Sequence, residues 1–347
     1  MKKLNLLLLL TFIVSFSYSQ SPSRNSLFIP DIPGYVTLKC DLHMHTVFSD
    51  GLVWPDVRIE EAFTEGLDAI AITDHIEYSP HKTDVPVNHS RPYEIASRYA
   101  QMAGIILIKG SEITRKMPPG HLNALFIEEP DSLVKDSYED ALLAAKAQGA
   151  VIFWNHPGWA PQAPDGIKWY DEHTALVDQN IIDGIEIVNT NEYYPEAFSW
   201  CVEQDLAILG NSDIHGTLDG FYRMHGVTHR PMTIVFAKDR SQEGIKEAIL
   251  SKRSIVWFGD QVIGKEIFIA ELVKASLEFH EAHYTAGETE FRKLTNKSCL
   301  GFVITADGND YTLEPYSEII VRLKTTVEPE LKIHNFITEK GELALVL

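Results

Sequence analysis

Histidines and carboxylates recur in short motifs along the first two thirds of the chain. His43 and His45 stand in Asp41-Leu42-His43-Met44-His45-Thr46, and His75 closes Ile72-Thr73-Asp74-His75. Glu112 follows Gly110-Ser111, and His121 opens His121-Leu122-Asn123. His156 lies in Asn155-His156-Pro157-Gly158, while Asp213 and His215 share Asn211-Ser212-Asp213-Ile214-His215. Imidazole and carboxylate together suit Zn, Mn or Fe, and ligand type does not choose among the three. Each motif alone has a plain structural explanation. A lone His-X-His is commonly coincidence, Asn-His-Pro-Gly suits a turn, Thr-Asp-His can cap a helix, and Glu112 can pair with Arg115. Coincidence does not explain why each motif adjoins an apolar strand, so a clustered metal site is the better reading.

Those strands come from the apolar pattern. Runs over 36–43, 67–73, 105–113, 121–126, 150–155, 184–188, 206–210, 232–237 and 254–258 read as strands. Amphipathic stretches over 55–65, 93–103, 138–148, 169–178, 196–203 and 242–250 read as the intervening helices. This alternation predicts an α/β fold with a parallel sheet, and so many units favour a closed barrel. In such a barrel the strand C-termini meet on one face, where sites are built, and all the motifs are read as lying at or beyond those ends. Alternate strand residues point the same way, so His43 and His45 project together, as do Asp213 and His215 if that segment is extended. Beyond about residue 270 the texture changes. Strands over 299–305, 318–324 and 332–337, with turns at Asp307-Gly308-Asn309 and Lys340-Gly341, predict a small antiparallel β module.

The N-terminus predicts export. Lys2 and Lys3 precede an apolar run over 4–14 interrupted only by Asn5 and Thr11, and Ser17 and Ser19 supply a cleavage site before Gln20. The run is shorter than the ~20 apolar residues of a membrane span. No cysteine adjoins the cut to carry a lipid. The expected division is therefore a signal peptide at 1–19, a barrel at 20–270 and a β-rich module at 271–347, in a periplasmic or secreted protein that leaves the membrane after cleavage. A net charge of −19 repels a phosphate backbone and argues against a nucleic-acid partner. Three cysteines allow at most one disulfide, so the fold is not disulfide-stapled. Cys40 is expected to be a core thiol rather than a ligand. The sequence sets no oligomeric state.

The order His43-X-His45-Thr46-X-X-Ser49-Asp50-Gly51, Thr73-Asp74-His75, Gly110-Ser111-Glu112, Gly120-His121, Asn155-His156-Pro157-Gly158 and Asp213-X-His215 resembles the polymerase and histidinol phosphatase (PHP) family over about residues 36–260. The resemblance implies a distorted seven-stranded TIM-like (β/α) barrel, two or three divalent metal ions and hydrolysis of phosphoesters by a metal-bound hydroxide. Carried over, His43, His45, Glu112 and Asp213 hold a first ion. Glu112 bridges to a second, held by His121 and His156. His75 and His215 hold a third with Asp50, where some members of the family place a histidine at the position of Gly51. Paired cations ~3.5–4 Å apart suit this chemistry, because they neutralise the phosphoryl oxygens and activate water. Exported PHP proteins that this chain resembles, with a Ser-Asp-Gly corner and a β tail, look more like phosphodiesterases of small organic phosphates, which implies such a substrate.

Candidates around the metals are fewer. Asp41 and Asp74 adjoin ligand histidines and can orient an imidazole or cap a turn, and Asp74 can also carry a proton. Arg115 and Arg223 are candidates to clamp free phosphate oxygens, against the alternative of solvated loop arginines. Trp154, Trp159, Trp169, Tyr193 and Tyr194, with Glu186 and Asn189, can line the mouth. His280, His283 and His334 read as surface residues. Two other readings compete with the phosphoesterase. One is an amidohydrolase-like metallohydrolase of amide or ester bonds, disfavoured because Glu112 stands where that superfamily carries a bridging lysine. The other is a periplasmic metal-binding protein without turnover.

Overall fold

The computed structural model describes residues 23–325 and 330–346, so the expected signal segment at 1–19 lies outside the described residues. The chain runs through β1 (Val36–Asp41), α1 (Pro55–Glu65), β2 (Ala69–Ile72), α2 (Arg91–Ala103) and β3 (Ile106–Ile113). Next come β4 (Leu122–Leu125), α3 (Tyr138–Ala147), β5 (Val151–Trp154), α4 (Asp171–Asp178) and β6 (Gly184–Asn189). They are followed by β7 (Glu192–Tyr193), α5 (Pro195–Glu203), β8 (Ala207–Asn211), α6 (Leu218–His225), β9 (Met232–Ala237) and α7 (Gln242–Leu250). Then come β10 (Ser254–Phe258), β11 (Gln261–Gly264), α8 (Glu266–Ser276), β12 (Leu277–Ala286) and β13 (Thr289–Asn296). The tail ends with β14 (Phe302–Ala306), β15 (Asn309–Leu313), β16 (Glu318–Lys324), β17 (Glu330–Thr338) and β18 (Gly341–Val346).

Local chemistry sets many of these bounds. Pro55 supplies the pre-set φ of the first turn of α1, and left-handed Gly66 ends it by donating its N–H to Ala62 O and Phe63 O. Helix α6 falls in a stretch, between the strands expected at 206–210 and 232–237, where the apolar pattern predicts no element. Thr217 caps it by accepting the Gly220 N–H, and left-handed Gly226 stops it. Strands β2, β5 and β8 are buried along their whole length, as expected of strands covered on both faces.

The sheet is mixed, which corrects the parallel expectation. β1, β2 and β3 pair in parallel, as do β5, β6 and β8. Between them β4 runs antiparallel to both β3 and β5. The connection from Ile113 to Leu122 carries no helix, and a parallel return needs a crossover. At the other flank β9 is antiparallel to β1 and to β10. The expected closed barrel is not completed by a ladder among the described residues. β8 instead meets β9 and β10 through side chains. Thr233 Oγ1 accepts from Gly210 N at 3.0 Å and donates to Gly210 O at 2.9 Å, and Ser254 Oγ donates to Ile208 O at 2.7 Å. Gly210 permits that approach, because a Cβ there would lie 2.4 Å from Val256 Cγ1.

The tail divides in two. β12, β13 and β16 form a separate three-stranded antiparallel sheet. β17 instead pairs in parallel with β11, matching Val262 to Phe336 and Ile263 to Ile337, and carries β14, β15 and β18 with it. Main-sheet and tail side chains share one apolar cluster that includes Ile70, Ile234 and Val262 together with Phe302, Ile304, Leu331 and Phe336. Cys40, Cys201 and Cys299 are all buried and free. Among the described residues no helix is long and apolar enough to cross a membrane.

Candidate metal centre

The motif residues converge on one edge of the sheet. His43 and His45 follow β1, His75 follows β2, Glu112 lies in β3, His156 follows β5, and Asp213 and His215 follow β8. His121 departs from the expected pattern, because it precedes β4. β4 is antiparallel, so its N-terminal end lies on the same edge as the C-terminal ends of its parallel neighbours. Isolated bridges between Met44 and Ile214 and between His75 and Glu112 extend the ladders into the cluster.

The donor atoms face one another closely. His43 Nε2 and His45 Nε2 are 3.1 Å apart. Glu112 Oε2 lies 3.1 Å from the former and 3.2 Å from the latter, and Asp213 Oδ1 lies 3.2 and 3.1 Å from them. The other oxygen of Glu112, Oε1, is 2.5 Å from His121 Nδ1 and 3.8 Å from His156 Nε2. A third group surrounds Asp50, whose Oδ1 is 3.2 Å from His215 Nε2, 3.4 Å from His75 Nε2 and 3.9 Å from His45 Nδ1. A histidine could not stand at Gly51 on this backbone, because a Cβ there would come within 2.6 Å of His45 C and Thr46 N.

This arrangement fits bound cations. Asp50 Oδ1, Glu112 Oε1 and His121 Nδ1 are buried, and none has a hydrogen-bond partner. Orphaned acceptors and imidazole nitrogens gathered at such distances are costly unless a proton or a metal ion lies among them. The site's preference for positive charge also shows in its titration. Burial opposes charge on His43, yet Asp213, Glu186 and Glu112 hold its pKa well above the ordinary imidazole value. Burial likewise pushes Glu112 and Asp213 upward, but the surrounding histidines hold both carboxylates below their ordinary range. Three groups could hold an ion: His43 with His45 and Glu112; Glu112 with His121 and His156; and His45 with Asp50, His75 and His215. Asp213 adjoins the first.

Other buried side chains aim these donors. Glu186 Oε1 accepts from His43 Nδ1 at 2.9 Å, which fixes the proton on Nδ1 and turns the Nε2 lone pair toward the cluster. The same carboxylate accepts from Asn211 Nδ2, Asn189 Nδ2 and His156 N, each at 2.9 Å. The sequence reading placed Glu186 in the mouth of the site. The structure gives it an orienting position behind His43. Asp41 accepts from Ser212 N and Oγ, beside Asp213, and pairs with Arg230. His156, Thr190 and Asp213 all have positive φ, at 29°, 56° and 51°. Such backbone needs external support, which Asp213 N finds in His43 O and His156 N in Glu186.

Arg58, which no local motif flags, is fully buried in α1 and joins two ligand-bearing segments. Its Nε donates to His45 O at 2.9 Å, and its Nη atoms donate to Ile214 O and His215 O at 3.0 Å and to Gly216 O at 2.8 Å.

Three sequence candidates stand outside the cleft above the donors. Asp74 accepts from Thr46 N at 2.7 Å and from Thr46 Oγ1 and Ser49 Oγ at 2.6 Å, so it braces the corner after His45. Arg115 is held by Glu77, Lys135 O and Asp136 O. Arg223 lies on the outer face of α6, with its side chain 72% exposed and paired to Asp219. None of the three lines the cleft of about 620 Å³ above the cluster. That cleft is bounded by Asp50, His75, Glu112, His121, His156, Asp213 and His215 on one side. Leu52, Trp159, Thr190, Phe221, Met224 and His225 also line it, with the Gly216-Thr217 turn and Gly220.

Buried histidines and carboxylates gathered at one edge of an α/β sheet, with one glutamate facing two imidazole groups, define a candidate polynuclear metal protein. The PHP domain family matches residues 41–153. A crystal structure from Bacteroides vulgatus, of a two-domain protein containing a "predicted PHP-like metal-dependent phosphoesterase", is 40% identical, with a TM-score of 0.90. The match covers 94% of this chain and 99% of that one. An uncharacterised protein of Methanocaldococcus jannaschii is 26% identical over 185 residues, 46% of this chain and 83% of its own. The chain belongs to the PHP family.

Proposed function

We propose that this protein is an exported metal-dependent phosphoesterase that hydrolyses a small organic phosphodiester. The observation that carries the reading is Glu112, whose Oε2 faces His43, His45 and His75 while Oε1 faces His121. Divalent ions bound at such a bridged site (two or three of Mn, Zn or Fe) supply Lewis acidity to a phosphoryl oxygen and lower the pKa of water. His43, His45, Glu112 and Asp213 would hold the first, Glu112, His121 and His156 the second, and Asp50, His75 and His215 the third. The chain's own work is to place and shield. Glu186 keeps the proton on His43 Nδ1, and Asp74 and Arg58 fix the loops that present His45 and His215. Trp159 and Phe221 narrow the space above the donors.

The diester preference rests on charge. Among the described residues lining the cleft there is no lysine or arginine. A doubly charged monoester draws more on cationic side chains than a singly charged diester does. Export rests on the basic, apolar and small-residue sequence before Gln20. The test is turnover of aryl phosphate mono- and diesters by the purified chain, with and without Mn, Zn or Fe, alongside elemental analysis. Metal-dependent turnover that favours the diester is expected. No turnover under any loading, with no metal retained, would reject the reading.

A further inference from the structure

The cleft above the cluster has a second wall unlike the first. Met224 is 80% exposed, Leu52 69% and Trp159 41%, and all three border that one cleft together with Phe221. Isolated exposed apolar residues are ordinary, but several sharing a concave surface with a reactive centre mark a binding site. Each is held in place. Leu52 N donates to His215 O at 2.8 Å, and Trp159 N donates to His156 O at 2.9 Å. The Trp159 ring stands 5.3 Å from that of His156 and 5.7 Å from that of His121. On the opposite side α6 presents Phe221 and Met224 beside Gly220, which adds no side chain to the space. Thr217 caps the helix through Gly220 N, and Leu218 N is fixed to Glu61. The wall is therefore built rather than a loose loop.

Resting on the phosphoesterase reading, we infer that Leu52, Trp159, Phe221 and Met224 form a subsite for an uncharged aromatic or bulky apolar group esterified to the phosphate. The absence of lysine and arginine from this lining, among the described residues, works against nucleotides carrying further phosphates and against polyanionic sugars. Arg115 and Arg223 do not compensate, since both guanidinium groups are engaged elsewhere. The chain thereby selects its substrate by its organic part and leaves the single phosphate to the centre.

Non-hydrolysable phosphonates separate binding from chemistry. Calorimetry on the metal-loaded full chain is expected to show phenylphosphonate binding at least ~10-fold tighter than methylphosphonate, the increment for burying an aromatic ring. In Trp159→Ser and Met224→Gln that ratio should fall to within about threefold. Met102→Gln, on the exposed face of α2 outside the cleft, serves as the control and should keep the wild-type ratio. Met224 is so exposed that its replacement leaves the core untouched, which keeps the test informative if Trp159→Ser is unstable. Equal affinities in the wild type, or a ratio unchanged in Met224→Gln, would overturn the subsite while ester turnover persists. Absence of turnover toward every ester in the wild type under any metal loading overturns the phosphoesterase reading itself, and is seen separately.

Discussion

His43 Nε2 and His45 Nε2 stand 3.1 Å apart, and both face the same two carboxylate oxygens, Glu112 Oε2 and Asp213 Oδ1. Glu186 accepts the one proton His43 carries when neutral, so Nε2 then faces its neighbours only as a ligand atom. With Glu112 and Asp213 at the same point, the arrangement is favourable only around positive charge. Fold and centre are thus energetically linked, and the first two predictions follow that link.

Glu112→Gln keeps the size of the side chain and removes the charge that faces His43, His45, His75 and His121. Retained metal should drop, and turnover should fall by at least ~10²-fold, the scale of losing a group that organises transition-state charge. If Glu112 were merely a structural partner, the loss would be about 3–5 kcal/mol of stability, as for a broken buried pair, with metal and rate intact. Elemental analysis and rate measurement on the same preparation decide between them.

Glu186→Gln acts one layer further out. An amide in place of one oxygen must point an N–H at a donor, either His43 Nδ1 and Asn211 Nδ2 or His156 N and Asn189 Nδ2. Metal affinity should weaken by about 10–100-fold, as for other groups that orient ligating histidines. Titration with a competing chelator reads the change, and unaltered affinity would contradict the orienting role.

Arg58→Lys retains a cation but loses the fork that reaches four carbonyl oxygens. His45 O, Ile214 O, His215 O and Gly216 O lose their shared donor, and a loss of about 2–4 kcal/mol in urea unfolding is expected. A variant as stable as the wild type would show that water replaces the guanidinium without cost.

His173 supplies a pH dependence away from the metal centre. Its Nε2–H donates to Pro119 O at 2.8 Å, its Nδ1 accepts from Tyr170 N at 3.2 Å, and Trp154 stacks on its ring at 3.7 Å. Both nitrogens are committed to the neutral form, and burial lowers its pKa to about 4. The unfolded chain, titrating near ~6.5, binds more protons in this interval. Stability present above about pH 6.5 is therefore lost as the pH falls through about 4, to the order of 3 kcal/mol. His173→Gln lacks this titration, so the advantage of the wild type over it should shrink from about pH 7 to about pH 4.5. A constant difference over that range would refute the assignment.

Much of the site was legible because strand alternation and strand ends are local. Placing His43 with His45 needs only the period of two, and gathering them with Glu112 and Asp213 needs only strand ends that share an edge. Directions of long side chains were not legible. Arg223 follows His215 closely in sequence, yet the Thr217 cap winds that segment into α6 and turns the guanidinium outward. The cap and Gly226 were both visible and marked a helix. Arg58 left no trace, since its partners are backbone carbonyls far along the chain, and a carbonyl has no residue type to recognise. The antiparallel β4 was hidden for a similar reason, because strand direction depends on the length and content of the connection more than on the strand's own residues.

Ribosomal synthesis meets the pairing of β11 with β17 in a particular order. β11 emerges well before β17, and at about 5–20 residues per second its outer edge stays bare for several seconds. Every strand that carries the histidine-rich face has by then been made. One flank of the nascent sheet can thus assemble while the other still offers unpaired amides and apolar side chains to neighbouring chains.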